Sequence, residues 1–385
     1  MVDPVATACS QASVCRLALV TTELRVGGAE KCLTELAKRL DKSRYEVRVV
    51  CLADPPARPR DRLWQELMEA GIQVDALGLR HPRQWFAAVH RLKQSWQQWR
   101  PHVVQSFLFH ADVLAARVTK SLSIECHNLG LRVSDPSRFR SWLERRAAKK
   151  AQGVVCVSEK VAADAETRHR IPRNKLIVIP NGVDIESITQ VRPADLSATG
   201  IAEDRVVVSV IGRLEPQKGL SVLMNNVDPF LTANPHAHLL FVGEGSQEKQ
   251  LLRLATELGL ADRITFVGWR KDVAAIMKSS RLLLLPSRYE GMPNVVMEAM
   301  AAGRPVAAFD VEGVSELLGE SPEQIAAAGD YGTLFRIAGH MVQDGDLADS
   351  LGMRNQRLVR ENHSIECMVD AYDQLFRRQF HHIAP

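Results

Sequence analysis

The chain has 385 residues, of which 46% are hydrophobic and 24% charged. This ordinary globular composition excludes disorder, a collagen helix or a coiled coil for the chain as a whole, and the length predicts two domains. The longest apolar runs, such as 282–286, are far shorter than the ~20 residues of a membrane span. The first 13 residues lack the pattern of a signal peptide, so none is expected.

Cysteine usage and charge indicate the surroundings of the protein. Seven scattered cysteines contain no C-x-x-C pair, which argues against a disulfide framework or zinc site and predicts a cytoplasmic location. Residues 1–184 hold 30 Lys+Arg and 19 Asp+Glu, a net charge of +11, whereas the remainder holds 19 and 26, a net charge of −7. The basic part is expected to face an anionic partner. A phospholipid or lipid-diphosphate acceptor fits, and scattered solvated charge is the alternative. Without any nucleic-acid-binding signature, no nucleic-acid partner is expected.

Strands and helices alternate along the chain. In its first part, strands are predicted at 16–22, 45–52, 72–77, 103–106, 124–127, 154–158 and 176–179, with helices at 30–40, 62–70, 84–99, 111–120 and 141–151. After the turn-rich segment 180–184, strands at 206–211, 239–242, 264–267, 282–285 and 306–308 alternate with helices at 220–233, 247–258, 273–279 and 294–302. The pattern predicts an α/β protein with two parallel sheets.

We therefore predict two Rossmann-like domains that face a central cleft, where the carboxyl ends of the strands would bind ligand. Residues 1–14 are predicted to be a disordered N-terminus. The N-terminal domain is predicted over 15–184 and the C-terminal domain over 185–363. A last helix, within 364–385, is expected to return to the N-terminal domain.

Two loops of the second domain combine charges that suit a sugar nucleotide. Arg213 and Lys218 lie five residues apart directly after the strand 206–211, so both cations can converge on one diphosphate. The next candidate loop, after the strand 282–285, carries Glu290, and Glu298 follows in a helix. A carboxylate there suits bidentate hydrogen bonding to the vicinal hydroxyls of a ribose or hexose. Incidental charge on a solvated loop is the alternative.

These motifs resemble those of the retaining GT-B glycosyltransferases of family 4. The donor-site signature of that family is similar to Gly212-Arg213 through Lys218-Gly219, followed by Glu290-x7-Glu298. The segments 27–30, 180–184 and 243–245 resemble the N-terminal glycine loop, the interdomain linker and the V-G-x-G turn of the family. The resemblance extends over roughly residues 15–375.

The resemblance implies a role for each matching residue. Arg213 and Lys218 would hold the donor diphosphate and stabilise the leaving group, Glu298 would bind the ribose and Glu290 the transferred hexose. Gly28, at a helix N-terminus, would offer a backbone N–H to the distal phosphate. With two cations and a helix terminus in place, neither a metal ion nor another cofactor is expected. The other donor-binding candidates are Gly27, Gly212, Gly243, Gly291 and Asn294.

A histidine near the anomeric carbon is common in the family, and two registers compete for that position here. In one, His127 ends the strand 124–127 and takes the role. In the other, 130–132 aligns with a Gly-Ile-Arg segment of relatives, so that His127 lies inside the strand and Arg132 occupies the site. The first register is our prediction.

Asp344-Gly345-Asp346 has the form of a metal-binding D-x-D motif, but its position in a late polar turn predicts the start of a helix instead.

A basic segment with interleaved aromatic residues follows, over 132–150. A helix of this kind can lie on an anionic membrane surface, where each cation contributes on the order of 1 kcal/mol. A basic helix that packs Trp142 inward is the alternative. The residues proposed for the membrane or acceptor surface are Arg138, Arg140, Trp142, Arg145, Arg146, Lys149 and Lys150.

The sequence thus predicts a metal-independent, retaining transferase that moves a hexose from a nucleoside-diphosphate sugar to a lipid-linked or surface-glycan acceptor. Peripheral association with the inner membrane is expected. Two other functions fit the same architecture. One is a nucleotide-sugar 2-epimerase, and the other is a catalytically silent nucleotide-sugar-binding scaffold.

Overall fold

The computed structural model describes residues 14–132 and 138–383. The predicted disordered N-terminus therefore lies outside the described residues, apart from residue 14. The side chains of Pro82, Arg138 and Phe139 are also outside the description.

The first domain is built on a seven-stranded parallel sheet with the strand order β3-β2-β1-β4-β5-β6-β7. Its strands are β1 (Cys15–Thr21), β2 (Tyr45–Cys51), β3 (Gln73–Ala76), β4 (Val103–Phe107), β5 (Cys126–Leu131), β6 (Gly153–Cys156) and β7 (Leu176–Val178). Its helices are α1 (Gly28–Arg39), α2 (Arg62–Glu69), α3 (Trp85–Trp99), α4 (Phe109–Leu122), α5 (Arg138–Lys150) and α6 (Glu159–Thr167).

The second domain follows α7 (Ile185–Thr189) and contains a six-stranded parallel sheet with the order β10-β9-β8-β11-β12-β13. Its strands are β8 (Val206–Ile211), β9 (Ala237–Val242), β10 (Ile264–Phe266), β11 (Leu282–Leu285), β12 (Val306–Phe309) and β13 (Ile325–Ala326). Its helices are α8 (Leu220–Asn226), α9 (Asp228–Ala233), α10 (Glu248–Glu257), α11 (Val273–Ser279), α12 (Asn294–Ala301), α13 (Val314–Leu318), α14 (Tyr331–Gln343) and α15 (Gly345–Asn362).

Burial explains why the central strands are continuous apolar runs. In β11 all four leucines are buried, and in β1 every residue except Arg16 is buried. Central parallel strands are covered by helices on both faces, so both side-chain directions must be apolar. In each domain, the loops that follow β1 and β8 open at the carboxyl edge of the sheet.

The last helix, α16 (Ile365–Ile383), crosses back to the first domain as predicted. Its buried face, with Met368, Tyr372 and Phe376, belongs to the same apolar cluster as β1 and β2. The side-chain amides of Asn128 and Gln379 also exchange two buried hydrogen bonds of 2.8 and 2.7 Å. This helix thereby ties the end of the chain to β5.

Some boundaries differ from the sequence prediction. The helix predicted at 220–233 is two helices, α8 and α9, with a break at Val227. Pro229 explains the break, because proline is accepted in the first turn of a helix but disrupts the interior. The Asp344-Gly345-Asp346 segment begins α15, where Asp344 Oδ1 accepts a 2.9 Å hydrogen bond from the Leu347 N–H. The prediction of a helix start is confirmed there.

Candidate active site

The loop after β8 brings its two cations to the edge of the sheet. Gly212 begins it with a φ of 149°, and Gly219 ends it with a φ of 68°, conformations that favour glycine. Arg213 and Lys218 lie between these two glycines. Both line one pocket together with Ser287, which comes from the loop after the neighbouring strand β11. Both loops start at carboxyl ends of parallel strands, so this pocket has the position expected for a ligand.

The predicted glycine turn after β9 packs against the same loop. Gly243 has a φ of 139°, and a Cβ atom on it would collide with the carbonyl oxygen of Gly212. The Leu214 N–H also donates a 2.9 Å hydrogen bond to the Glu244 carbonyl. The loops after β8 and β9 therefore form one continuous surface at the edge of the sheet.

Lys218 and Glu290 form a salt bridge of 2.5 Å inside the second domain. Their side chains are 15% and 9% exposed, so the pair is largely shielded from water. The stem of Lys218 lies 3.4 Å from the position of a Cβ atom on Gly212. The sequence motifs that carry Lys218 and Glu290, more than seventy residues apart, thus meet in one place.

The first turns of α1 and α12 face each other across the cleft. Asn294 Nδ2 donates a 3.1 Å hydrogen bond to the Gly28 carbonyl, and a Cβ atom on Gly28 would lie 3.2 Å from Asn294. Lys31 Nζ lies 2.5 Å from Glu298 Oε1. Gly28, Asn294 and Glu298, all candidates for donor binding, are therefore brought together, and Lys31 joins them. Lys31 is not among the site residues predicted from the sequence, although its place in the first turn after the glycine loop could have indicated it.

Gly27 is the N-cap of α1, in an extended conformation and without a side chain to bond the helix. The glutamate three residues later, Glu30, is buried at 8% exposure and folds back over Gly27. Burial raises the pKa of Glu30 to about 7, although a hydrogen bond from its own backbone N–H favours the ionised form, as Arg132 and Arg213 do to a smaller extent. Glu30 belongs to the glycine-loop motif of residues 27–30, but no role is predicted for it from the sequence.

The prediction that His127 ends a strand at the cleft is wrong. Strand β5 continues to Leu131, so His127 is its second residue and is 1% exposed. Its Nε2 atom lies 3.2 Å from Ser106 Oγ and its Nδ1 atom 3.5 Å from Thr119 Oγ1. Burial lowers the pKa of His127 to about 3, which keeps the ring neutral. The extra length of β5 includes Gly130, where a Cβ atom would lie only 2.7 Å from the Ser106 carbonyl oxygen.

Arg132 takes the strand-end position instead. Its Nη1 atom donates to the Asn181 side chain, and its guanidinium lies 5.0 Å over the ring of Phe107. The Nε and Nη2 atoms are buried with no hydrogen-bond partner among the described residues. From the second domain, Gly291 packs directly on the Arg132 carbonyl, where a Cβ atom would collide. Arg132 is therefore a cation held at the contact between the domains.

The basic helix α5 has one buried face and one exposed face. Ala147 and Ala148 are buried, as is Glu144, which lies 3.1 Å from His169. Trp142 is 50% exposed, which contradicts the alternative of an inward-packed tryptophan, and the Arg146 guanidinium lies 5.0 Å over its ring. Of the predicted surface residues, Arg146, Lys149 and Lys150 are exposed, Arg140 and Arg145 are half-buried, and the side chain of Arg138 lies outside the described residues.

The protein has the two-domain GT-B fold, which consists of two parallel sheets with covering helices, a cleft between them and a returning C-terminal helix. Solved structures have the same fold. HepE of Anabaena, in complex with UDP and glucose, superimposes with a TM-score of 0.83 at 21% identity over 94% of this chain and all of that one. Sucrose-phosphate synthase of Thermosynechococcus elongatus gives 0.76 at 19% identity over 95% of this chain and 99% of that one.

Family models identify the particular group. "Glycosyltransferase Family 4" matches residues 26–187 and "Glycosyl transferases group 1" matches residues 205–344. The chain belongs to glycosyltransferase family 4.

Similar curated proteins are named transferases of sugars. The lipopolysaccharide core biosynthesis glycosyltransferase LpsD of Rhizobium meliloti is 26% identical over 91% of this chain and 95% of its own length. Alpha-D-kanosaminyltransferase of Streptomyces kanamyceticus is 26% identical over 57% of each chain. UDP-Gal:alpha-D-GlcNAc-diphosphoundecaprenol alpha-1,3-galactosyltransferase of Escherichia coli is 30% identical over 45% of this chain and 46% of its own. The matches with the last two therefore span only about half of each relative.

Proposed function

We propose that the protein is a retaining, metal-independent glycosyltransferase that moves a hexose from a nucleoside-diphosphate sugar to a lipid-linked or surface-glycan acceptor. One observation carries the proposal. Arg213 and Lys218 line one pocket at the ends of two parallel strands, and Lys218 is paired there with Glu290 at 2.5 Å. A diphosphate needs two convergent cations, and a hexose beside it needs a hydrogen-bond acceptor.

In this proposal the donor lies along the cleft with its diphosphate at Arg213 and Lys218. Glu298 accepts hydrogen bonds from the ribose hydroxyls, and the N-terminus of α1 at Gly28 faces the distal phosphate. As the bond to the sugar breaks, negative charge grows on the diphosphate. Fixed cations and a helix terminus stabilise that charge without reorganisation, the role that a metal ion has in other transferases.

We assign the N-domain position near the anomeric carbon to Arg132 rather than His127. Arg132 lies at the contact between the domains with two guanidinium nitrogens unpaired in the described structure, whereas His127 is enclosed by Ser106 and Thr119. The base would be the leaving diphosphate itself, which takes the proton of the incoming hydroxyl on the face from which it departs. Attack on that face retains the anomeric configuration.

Two observations support UDP-sugars as the donor class and a membrane-bound acceptor. HepE was solved with UDP and glucose, and the Escherichia coli relative is named for UDP-Gal and a diphosphoundecaprenol acceptor. The exposed face of α5, with Trp142, Arg146, Lys149 and Lys150, suits an anionic inner-membrane surface on the cytoplasmic side. None of the helices in the described part of the chain has the length and apolar character needed to cross a membrane.

The experiment follows donor turnover with EDTA present. The protein is incubated with UDP-glucose, UDP-galactose, UDP-N-acetylglucosamine or GDP-mannose, with and without membrane lipid extract, and the sugar released or transferred is analysed by NMR. We expect turnover of one nucleotide class, with the α-anomer of the donor retained in the product. An inverted product would contradict retention. Conversion of free donor into an epimer would favour the 2-epimerase, and no turnover of any donor would favour the silent scaffold.

A further inference from the structure

Asn181, between β7 and α7, is a buried amide to which the proposed reaction gives no role. The residue is 5% exposed, and both ends of its side chain are hydrogen-bonded. Its Oδ1 atom accepts from Arg132 Nη1, and its Nδ2 atom donates to Asn294 Oδ1 at 2.8 Å and to the Met292 carbonyl at 3.2 Å. An amide with these bonds could simply fasten the linker to both domains. This structural explanation has to be tested against a role in the reaction.

The bonds of Asn181 belong to a chain of hydrogen bonds that runs in one direction across the cleft. The chain begins at Arg132, passes through Asn181 and reaches Asn294 at the start of α12. There, Asn294 Nδ2 donates to the Gly28 carbonyl at 3.1 Å. A guanidinium can only donate hydrogen bonds, and a carbonyl can only accept them. Because both ends of the chain are fixed in this way, the Oδ1 atom of Asn181 has to face Arg132.

The chain also determines which atoms of Arg132 are available to a ligand. Asn181 binds Nη1, and the guanidinium lies 5.0 Å over the ring of Phe107. Nε and Nη2 are buried and have no hydrogen-bond partner in the part of the chain that the structure describes. Two parallel N–H groups on this edge suit two oxygen atoms of one anion, as in Arg270, whose Nε and Nη2 hold the Asp272 carboxylate at 2.8 and 2.6 Å. Buried donors without a partner are unfavourable unless a ligand binds them.

We propose that Asn181 is a positioning residue for the transfer reaction, which holds the guanidinium of Arg132 so that its Nε–Nη2 edge meets the oxygen atoms at the reacting centre. This inference rests on the role of Arg132 proposed above. Negative charge grows on the leaving diphosphate as the bond to the sugar breaks, and a cation that is already in place stabilises that charge without reorganisation. Without Asn181, nothing holds Nη1, and a displacement of about 1 Å can lower a rate up to about a hundredfold.

The test is a double-mutant cycle of N181A and R132A in the full-length protein. The donor is the sugar nucleotide that the wild type turns over in the panel above, and kcat for release of its nucleoside diphosphate is measured per folded molecule. N181A should lower kcat about tenfold in the wild-type background and leave the dissociation constant of the donor within about threefold. In the R132A background, N181A should change kcat by less than about threefold, because the group that Asn181 positions is absent.

N225A is the matched control, because Asn225 is exposed on α8 and its Nδ2 atom donates to the Ser221 carbonyl of the same helix. It should leave kcat unchanged in both backgrounds. An equal loss of kcat from N181A in both backgrounds, or a loss confined to donor affinity, would overturn the inference and leave the role of Arg132 in place. Wild-type turnover by R132A, or no turnover of any donor by the wild type, would overturn both.

A measurement on the wild type covers the case in which N181A does not fold. NMR of the ¹⁵N-labelled arginine side chains, with the Arg132 signal assigned from its loss in R132K, reports how fast the guanidinium rotates. We expect slow rotation for Arg132 in the ligand-free protein, because Asn181 holds one of its terminal nitrogens. Fast rotation would overturn the inference without any substitution at Asn181.

Discussion

Lys31 of α1 and Glu298 of α12 form an ion pair of 2.5 Å that joins the two domains across the cleft. The side chains are 37% and 14% exposed, so the pair is accessible to water on one side. An ion pair that water can reach from the side of one partner contributes on the order of 1 kcal/mol. A ribose whose hydroxyls reach Glu298 can therefore displace Lys31 at little cost. The carboxylate that pairs with Lys31 across the cleft would then bind the nucleotide instead.

Replacing Glu298 with alanine should weaken donor binding without unfolding the protein. A hydrogen bond to a charged group contributes about 1.5–3 kcal/mol, so the dissociation constant for UDP-glucose should rise about tenfold to a hundredfold. Calorimetric titration measures it directly. E257A is the control, because Glu257 lies on the exposed end of α10. If E298A bound UDP-glucose as tightly as E257A does, the ribose assignment would be wrong.

The G291A variant tests whether closure of the cleft is needed for transfer. A Cβ atom on Gly291 would collide with the carbonyl oxygen of Arg132 in the other domain. The domains would have to move apart, and closure assembles the site from both of them. We expect kcat/KM to fall at least about tenfold while the melting temperature changes little. G332A should lower neither, because a Cβ atom on Gly332 in α14 would meet just one atom of the described residues within 4 Å, Asp330 Oδ1 at an ordinary contact distance of 3.5 Å. Unchanged turnover in G291A would contradict the closed arrangement.

The activities of two variants distinguish the roles of Arg132 and His127. Arg132 faces the domain contact, whereas His127 is enclosed in the first domain. In a variant R132A, the loss of the cation that we propose to lie beside the reacting groups should lower kcat on the order of a hundredfold, with little change in donor affinity. A variant H127Q that folds should keep its turnover per folded molecule within about threefold. If H127Q were inactive and R132A active, the catalytic position would be assigned to His127 and not to Arg132.

His127 should instead influence stability at acid pH. Burial lowers its pKa from the usual 6.5 to about 3, so the folded protein binds fewer protons than the unfolded chain between these values. The corresponding stability is present above pH 6.5 and is lost as pH falls towards 3. At pH 5 the free energy of unfolding of the wild type should therefore be roughly 2 kcal/mol lower than at pH 7 because of this group. Urea unfolding of wild type and H127Q at both pH values measures the difference, and equal pH dependence in the two proteins would exclude this role.

Much of the fold could be predicted from the sequence because central parallel strands are short apolar runs. Buried strands such as β8 and β11 stand out between polar helices, and each candidate loop begins where its strand ends. The Arg213 and Lys218 loop was found in this way. The break between α8 and α9 was missed because helical periodicity continued through Pro229.

Contacts between distant segments of the chain could not be predicted from the sequence. Whether His127 or Arg132 reaches the cleft depends on the length of β5, which in turn depends on how closely Gly130 packs on β4. Lys31 and Glu30 looked like ordinary first-turn residues. Only the approach of the second domain gives Lys31 its partner, Glu298.

The most direct measurement of the central claim is binding of UDP-glucose, in the presence of EDTA, to the wild type and to the R213A and K218A variants. We expect the wild type to bind without metal and each variant to lose at least about tenfold in affinity, while the melting temperature of the ligand-free protein is retained. Near-normal binding by either variant, or binding by the wild type that requires an added metal ion, would contradict a metal-independent donor site at Arg213 and Lys218.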